Sequence, residues 1–232
     1  MTTQAPPLKL YVYDHCPFCT RVRFLLGVKG IDHELVFLAN HDEATPINLV
    51  GEKKVPILIT PSGKPLVESM EIVRYLDADH GGEPVLNESA DREDLKKWMQ
   101  ALDSAAIPLQ LPRLYTTPLP EFARSVSREY FRAKKEKMLG VPFSEALEQS
   151  PELIKKVNSF LEELEPMLRG QRTVNEELSY DDVDLFPRLR SLTIVKSIKW
   201  PTKVREYLEY NSKKGDVLLF DLMAQDGFRI CV

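Results

Sequence analysis

The sequence predicts two structural units, a small α/β domain at the N-terminus and an all-helical domain after it. Three observations lead to this division. Short apolar runs alternate with helical patterns up to residue 79, a Gly-Gly-x-Pro stretch follows at 81–84, and only helical periodicity appears beyond it. We therefore place the first domain at 1–79 and the second at 85–232.

The elements of the first domain follow from residue type and spacing. Runs rich in branched and aromatic residues predict strands, apolar residues at intervals of three and four predict helices, and Gly30 offers a helix stop. The predicted strands cover 8–13, 33–38, 56–59 and 65–67, and the predicted helices cover 18–26, 44–50 and 69–76. The order β-α-β-α-β-β-α fits a thioredoxin-like layer of helices on a small mixed sheet.

The second domain shows three apolar stripes at helical spacing and no strand pattern. The stripes run through 95–102, 153–168 and 185–193. We interpret them as the core positions of a helix bundle.

The composition is that of a folded globular protein, with 43% hydrophobic and 28% charged residues. A net charge of −4 gives no reason to expect nucleic acid or an anionic membrane as the main partner. The polar N-terminus lacks the basic and apolar regions of a secretory signal, and no stretch has the 18 or more apolar residues of a spanning helix. We expect a cytoplasmic protein.

Three cysteines, Cys16, Cys19 and Cys231, are too few for a disulfide-stapled secreted scaffold. In a reducing compartment, a close pair indicates either redox chemistry or half of a zinc site, which would need two more ligands. The other candidate ligands show no repeat of the two-residue spacing: His15, His33, His41, His80 and Cys231. We therefore favour redox chemistry and expect no metal.

The cysteine pair lies where the first strand gives way to the first helix. That position places Cys16 near the helix N-terminus, where free backbone N–H groups and the helix dipole favour an anion. Cysteines so placed have pKa values lowered to about 3.5–7.5. Pro17 suits the first helical turn. Cys19 lies one turn further on, and we expect its thiol to stay protonated until it resolves a mixed disulfide.

The motif Cys16-Pro17-Phe18-Cys19 resembles the signature of the glutaredoxins. The resemblance continues through Lys54-Val55-Pro56-Ile57 and through 68–76, segments that are also similar to glutathione transferases. Segment 175–187 resembles the helical domain of the long bacterial glutaredoxin 2 family. The likeness covers nearly the whole chain and is weakest at 116–150. It implies a thioredoxin-like domain with an appended transferase-like, all-α domain.

The resemblance implies a glutathione-dependent thiol–disulfide oxidoreductase with Cys16 as nucleophile and Cys19 as resolving residue. Its partners would be disulfide-bonded or glutathionylated proteins and its co-substrate glutathione, with no tightly bound cofactor. The residues implied to bind glutathione are Phe18, Lys54, Val55, Pro56, Glu68 and Ser69. Val55-Pro56 would be a cis bond that presents the Val55 backbone to the cysteinyl unit. Ser69 would cap the following helix and, with Glu68, hold the γ-glutamyl end.

Other residues near the motif have structural or open interpretations. We expect His15 to be a solvated loop residue rather than a charge beside Cys16. Ser179 to Asp182 has the spacing of a capping box, which we interpret as structural. Lys53 is either a partner of a glutathione carboxylate or part of a solvent-facing charge run. Arg21 and Arg23 add positive potential near the site. We interpret Cys231 as an incidental tail thiol. We expect a monomer.

Three other functions share parts of this pattern. A glutathione transferase or dehydroascorbate reductase is one, although two cysteines favour dithiol exchange. A chloride intracellular channel-type protein is another, but the first helix carries Arg21, Arg23 and Lys29 and is too polar to cross a bilayer unaided. The third is a glutathione-ligated iron–sulfur cluster shared by two copies, which the intact Cys19 makes a minor interpretation.

Overall fold

The structure, a computed structural model, describes residues 7–226; Cys231 lies outside the described residues. Strands β1–β4 cover Leu8–Val12, His33–Phe37, Ile57–Ile59 and Pro65–Leu66. Helices α1–α9 cover Pro17–Lys29, Ala44–Val50, Ser69–Asp79, Glu93–Thr116, Ser125–Leu139, Phe143–Glu148, Ser150–Leu164, Tyr180–Leu192 and Thr202–Lys214.

The strands form one mixed sheet in the order β2-β1-β3-β4. Strand β1 is parallel to β2 and antiparallel to β3, and β4 is antiparallel to β3. Alternate residues of β1, namely Leu8, Leu10 and Val12, are buried, as a period of two requires for a strand with one face on the core. The predicted thioredoxin-like α/β fold followed by a helical part is confirmed.

Helix α1 links the sheet to the helical part. It ends at Gly30, which has the left-handed φ of 62° that glycine adopts without steric cost. Its Phe24 ring packs 5.0 Å from the ring of Phe186 in α8. A Cβ atom on Gly27 would lie 2.0 Å from the carbonyl oxygen of Gly215, so a glycine is needed where α1 meets the end of α9.

The helical part contains the three predicted stripes in α4, α7 and α8, and their central residues are buried. Leu168 lies beyond the end of α7 but is still buried. The sequence reasoning missed α5, α6 and α9. Helix α5 buries only Ser127 and Phe131, too thin a stripe to recognise. Helix α9 buries four residues at helical spacing, a signal that was present in the sequence.

Two expectations about helix starts have different outcomes. The capping box of α8 is confirmed: Ser179 and Asp182 exchange both bonds, and the backbone N–H of Ser179 donates to Asp182 Oδ2 at 2.9 Å. The expectation that Ser69 caps α3 is wrong. The N-cap residue is Glu68, and Ser69 is the first residue of the helix. Its hydroxyl instead accepts a bond from Arg21 Nη1 at 3.2 Å.

Across residues 7–226, no helix combines the length and the apolar character that crossing a membrane would require.

Candidate functional site

Cys16 occupies the N-cap position of α1, with backbone angles of φ −75° and ψ 117°, and Pro17 is the first helical residue. The backbone N–H of Cys19 donates to Cys16 Sγ at 3.4 Å. Cys19 is fully buried, whereas Cys16 keeps 8% of its surface exposed, at the edge of a cleft. The two cysteines therefore differ in access, and an incoming sulfur atom reaches Cys16 first.

Because their surroundings differ, the pKa of Cys16 is lowered and that of Cys19 is raised. The hydrogen bond from the Cys19 thiol lowers the pKa of Cys16 to about 7, with help from the charge of His15 and from the backbone N–H groups of Cys19 and Phe18. Burial acts against these effects but does not outweigh them. Burial raises the pKa of Cys19 well above its usual range, and the bond to Cys16 adds to this. Near pH 7, Cys16 is partly thiolate and Cys19 is a thiol.

His15 is not a solvated loop residue, so that expectation is wrong. Its side chain is buried, with ring atom Nδ1 2.6 Å from Glu121 Oε1, and its backbone N–H donates to the same oxygen at 2.9 Å. The ring stacks between Tyr13 and Phe122, at centroid distances of 5.6 and 5.1 Å. The residue before Cys16 is thus fixed by the helical part of the chain.

Glu121 is fully buried in the segment that joins α4 to α5. Burial alone would raise its pKa, but the hydrogen bonds and the charge of His15 outweigh this and hold the pKa below its usual range. Glu121 is therefore an anion that faces His15. It lies in the segment where the sequence offered no recognisable motif.

The loop that carries Cys16 has a second anchor in α8. Arg190 is buried and donates to the Asp14 carbonyl oxygen at 2.7 Å and to Asp14 Oδ1 at 2.8 Å. Arg23 also pairs with the Asp14 carboxylate. These two guanidinium groups lower the pKa of Asp14 although burial acts to raise it. The strand-to-helix turn is therefore held by charges from α1 and α8.

The six residues expected to bind glutathione line one cleft of about 440 Å³, which we call the Ser69 cleft. They are Phe18, Lys54, Val55, Pro56, Glu68 and Ser69, and Arg21, Met70 and Glu71 complete the lining. The Val55–Pro56 bond is cis, as expected. The structure thus brings together residues from three separated segments, which the sequence order alone does not do.

The start of α3 lines the Ser69 cleft. The first backbone N–H groups of a helix have no partner within it and attract anions. Glu68, just before them, has a φ of 63°, an uncommon value for a residue other than glycine and one that tends to occur at ligand sites. Its carboxylate accepts a bond from Lys54 at 2.8 Å. Arg21 and Lys54 supply positive charge beside the helix start.

A second, larger cleft of about 510 Å³ adjoins the first, and we call it the Tyr130 cleft. The two clefts share Phe18, Arg21, Lys54 and Val55, and Cys16 opens onto the larger one. Residues of α4, α5 and α8 also line it. Sequence reasoning did not identify them, because no motif in α4 or α5 marks them.

Among residues 7–226, no group of three or more His, Cys, Asp and Glu side chains is arranged to hold a metal ion. Of the candidate histidine ligands, His15 faces Glu121.

Residues 94–224 match the family model of the glutaredoxin 2 C-terminal domain, and residues 10–84 match that of the glutathione S-transferase N-terminal domain. Glutaredoxin 2 of Escherichia coli strain K12 is 39% identical over 217 residues, which cover 94% of this chain and 100% of that protein. This chain belongs to the glutaredoxin 2 family.

Solved structures agree with this membership. Glutaredoxin 2 from Salmonella typhimurium, crystallised in complex with glutathione, superposes with a TM-score of 0.90 at 40% identity, covering 94% of this chain and 99% of that one. A glutathione transferase from Phanerochaete chrysosporium gives a TM-score of 0.70 at 18% identity, covering 91% and 98%. That second likeness shows the shared fold alone. As a glutaredoxin 2 family member, the chain is an oxidoreductase, as the sequence resemblance implied.

Proposed function

We propose that this chain reduces protein disulfides and glutathione mixed disulfides, with glutathione as its co-substrate, Cys16 as nucleophile and Cys19 as resolving thiol. The observation that carries the proposal is the N-cap position of Cys16. There its pKa falls to about 7 beside a protonated Cys19, at the edge of the larger of the two adjoining clefts.

In the first reaction the Cys16 thiolate attacks the glutathionyl sulfur of a mixed disulfide. The original S–S bond breaks, the other thiol leaves as a thiolate and takes up a proton, and Cys16 becomes bonded to glutathione. A second glutathione thiolate attacks that sulfur, releases glutathione disulfide and restores the Cys16 thiolate. The rate depends on the thiolate fraction of the attacking group and on the pKa of the leaving group, so a pKa near 7 suits Cys16 to both roles.

In the second reaction the Cys16 thiolate attacks a protein disulfide and forms a mixed disulfide with that protein. Cys19 then gives up its proton and attacks Cys16, which releases the reduced protein and leaves Cys16 and Cys19 oxidised. Two glutathione molecules reduce this pair and become glutathione disulfide. The contact from the Cys19 backbone to Cys16 Sγ at 3.4 Å supports this step, because it places the two residues side by side.

The Ser69 cleft supports the proposed binding of glutathione. The first N–H groups of α3 and the Ser69 hydroxyl suit the γ-glutamyl carboxylate, and Lys54 and Arg21 add charges of opposite sign to glutathione. The Val55 backbone suits the cysteinyl unit. The Salmonella typhimurium relative crystallised with glutathione supports the same ligand here.

The test is reduction of the mixed disulfide formed from hydroxyethyl disulfide and glutathione, coupled to glutathione reductase and NADPH. Wild type, Cys16→Ser and Cys19→Ser are compared. We expect turnover in the wild type, none in Cys16→Ser and partial turnover in Cys19→Ser. Equal losses in the two variants would contradict the division of roles, and a folded wild type without turnover would contradict the function.

Three sequence expectations stay predictions beside this proposal. The domain division at 1–79 and 85–232 is testable by limited proteolysis, the monomeric state by light scattering, and the cytoplasmic location by cell fractionation. The location is consistent with the chemistry, because Cys16 and Cys19 need a reducing glutathione pool for turnover. Neither nucleic acid nor a membrane is proposed as a partner.

A further inference from the structure

The Tyr130 cleft carries a charge opposite to that of the whole protein. The chain has a net charge of −4, yet the cationic side chains that line this cleft outnumber the anionic ones by six to two. The cations are Arg21, Lys53, Lys54, Lys134, Lys135 and Arg188, and the anions are Asp103 and Asp184.

The two anions are already neutralised by arginines on their own side of the cleft. Arg188 lies 2.6 Å from Asp184 and 3.2 Å from Asp103, and Arg21 also pairs with Asp184. This wall of α1, α4 and α8 therefore has balanced charge. Lys54 is likewise paired, at 2.7 Å from Glu52 and 2.8 Å from Glu68. The remaining positive charge lies where the α2–β3 loop meets α5, in Lys53, Lys134 and Lys135.

Two of these lysines face one aromatic ring. The ammonium of Lys53 lies 3.7 Å from the ring centre of Tyr130, and that of Lys134 lies 4.4 Å from it. Burial and the neighbouring Lys134 lower the pKa of Lys53 to about 8. The carboxylate near them, Glu43, is 3.6 Å from Lys134 and also accepts a bond from the Tyr130 hydroxyl. Asp42 also acts on Lys53, whose ammonium donates to the Asn40 carbonyl oxygen at 2.6 Å, yet burial and Lys134 together outweigh both carboxylates.

Lys135, the next residue of α5, also lines the cleft. It is half-buried, and within residues 7–226 its ammonium has neither a hydrogen-bond partner nor an ion pair. Burial lowers its pKa, whereas the negative charge of Cys16 acts in the other direction. The ammonium lies 5.8 Å from the centre of the Phe131 ring. A partly buried charge without an anion beside it is costly, and an incoming anion would relieve that cost.

These lysines lie where the non-glutathione part of a mixed disulfide would bind. In the proposed function the glutathionyl part occupies the Ser69 cleft. The thiol that is released when Cys16 attacks the disulfide therefore lies in the adjoining Tyr130 cleft. A volume of about 510 Å³ admits a few side chains of a peptide. Carboxylates close to the reacting cysteine of such a peptide would meet Lys53, Lys134 and Lys135.

We propose that the Tyr130 cleft is a substrate-specificity site that selects acidic peptides, with Lys53, Lys134 and Lys135 binding carboxylates that flank the disulfide-bonded cysteine. The inference rests on the proposed function, since it concerns which thiol partner is reduced. It assigns the helical part of the chain a role in choosing substrates through α5.

The test uses two peptides glutathionylated at one cysteine, identical except that glutamates flanking the cysteine in one are glutamines in the other. For the wild type at low salt we expect a kcat/KM about tenfold higher for the glutamate peptide, a preference that shrinks as salt screens the charges. In Lys134→Gln/Lys135→Gln the ratio should fall towards one, and in Lys134→Glu/Lys135→Glu it should invert. Because both peptides carry the same glutathionyl half, changes in glutathione binding cancel in the ratio.

Lys137→Gln is the matched control, since Lys137 is exposed on α5 and does not line the cleft. It should keep the wild-type ratio, and circular dichroism verifies that each variant is folded. Equal kcat/KM for both peptides in the wild type, or a preference that survives in the double variant, would overturn this inference alone. A wild type that reduces neither peptide nor the hydroxyethyl mixed disulfide would instead overturn the proposed function.

Discussion

His15 and Glu121 form a buried pair across the two parts of the chain, in which ring atom Nδ1 lies 2.6 Å from the carboxylate and the backbone N–H donates to the same oxygen at 2.9 Å. The charge of His15 is one of the effects that lower the pKa of Cys16. Since Glu121 belongs to the helical part and holds His15, that part contributes to the electrostatics of Cys16, the proposed nucleophile.

The first prediction concerns Glu121→Gln. The amide keeps the shape and an oxygen acceptor for the His15 backbone but removes the carboxylate charge that faces the His15 ring, whose charge lowers the pKa of Cys16. The pKa of Cys16 should rise from about 7 towards the value near 8.5 of an ordinary thiol, so less thiolate is present at neutral pH. The measurement is the rate of iodoacetamide alkylation against pH, whose midpoint should move to higher pH.

Glu129→Gln serves as the control, because Glu129 is a surface carboxylate of α5 that pairs with Arg132. Its alkylation profile should match the wild type. A folded Glu121→Gln protein with an unmoved midpoint would show that Glu121 has no influence on the nucleophile.

The second prediction separates two substitutions of Cys19. The hydrogen bond from the Cys19 thiol is the largest effect that lowers the pKa of Cys16. Cys19→Ala removes the donor, whereas Cys19→Ser retains an O–H group at the same place. We expect the alkylation midpoint to rise in Cys19→Ala and to rise less in Cys19→Ser. Identical midpoints in both variants would indicate that the bond is unimportant.

The third prediction concerns Ser69→Ala in the Ser69 cleft. Loss of the hydroxyl removes one donor for a carboxylate and one acceptor for Arg21. A hydrogen bond to a charged group contributes at least about 1.5 kcal/mol, so the KM for glutathione should rise by about tenfold. Steady-state kinetics at varied glutathione measures this. Ser62→Ala, in the exposed turn between β3 and β4, should leave the KM unchanged, and an unchanged KM in Ser69→Ala would remove Ser69 from the binding site.

The fourth prediction concerns Asp182→Ala in the capping box of α8. The carboxylate accepts bonds from the backbone of Val174 at 2.7 Å and of Ser179 at 2.9 Å, and both donors would be left buried without a partner. We expect a loss of about 2 kcal/mol in the free energy of unfolding, or about 4–8 °C in Tm for a chain of this size.

Activity per folded molecule should stay close to wild type in Asp182→Ala, because the substitution touches neither cleft. Glu163→Ala, at an exposed position on α7, is the control and should keep the wild-type Tm. A lost turnover at unchanged Tm would show that Asp182 has a chemical role instead of a structural one.

The sequence by itself determined the features that depend on neighbours along the chain. Cys16 before Pro17 fixes a helix start, Gly30 ends that helix, and Ser179 and Asp182 form a capping box, all through contacts within four residues. The residues expected to bind glutathione were predicted through their resemblance to a family, and the fold gathers them in one cleft.

Tertiary structure alone decided the surroundings of the nucleophile. His15 and Glu121 are 106 residues apart, and Lys53 and Lys134 meet at Tyr130 from different parts of the chain. The N-cap of α3 was predicted at Ser69 but lies one residue earlier, at Glu68. Glu68 has a positive φ, a backbone conformation that normally favours glycine. Residue spacing along the chain predicts hydrogen bonds within a turn. Charge pairing and burial depend on which distant segments pack together, and no short sequence pattern predicts this packing.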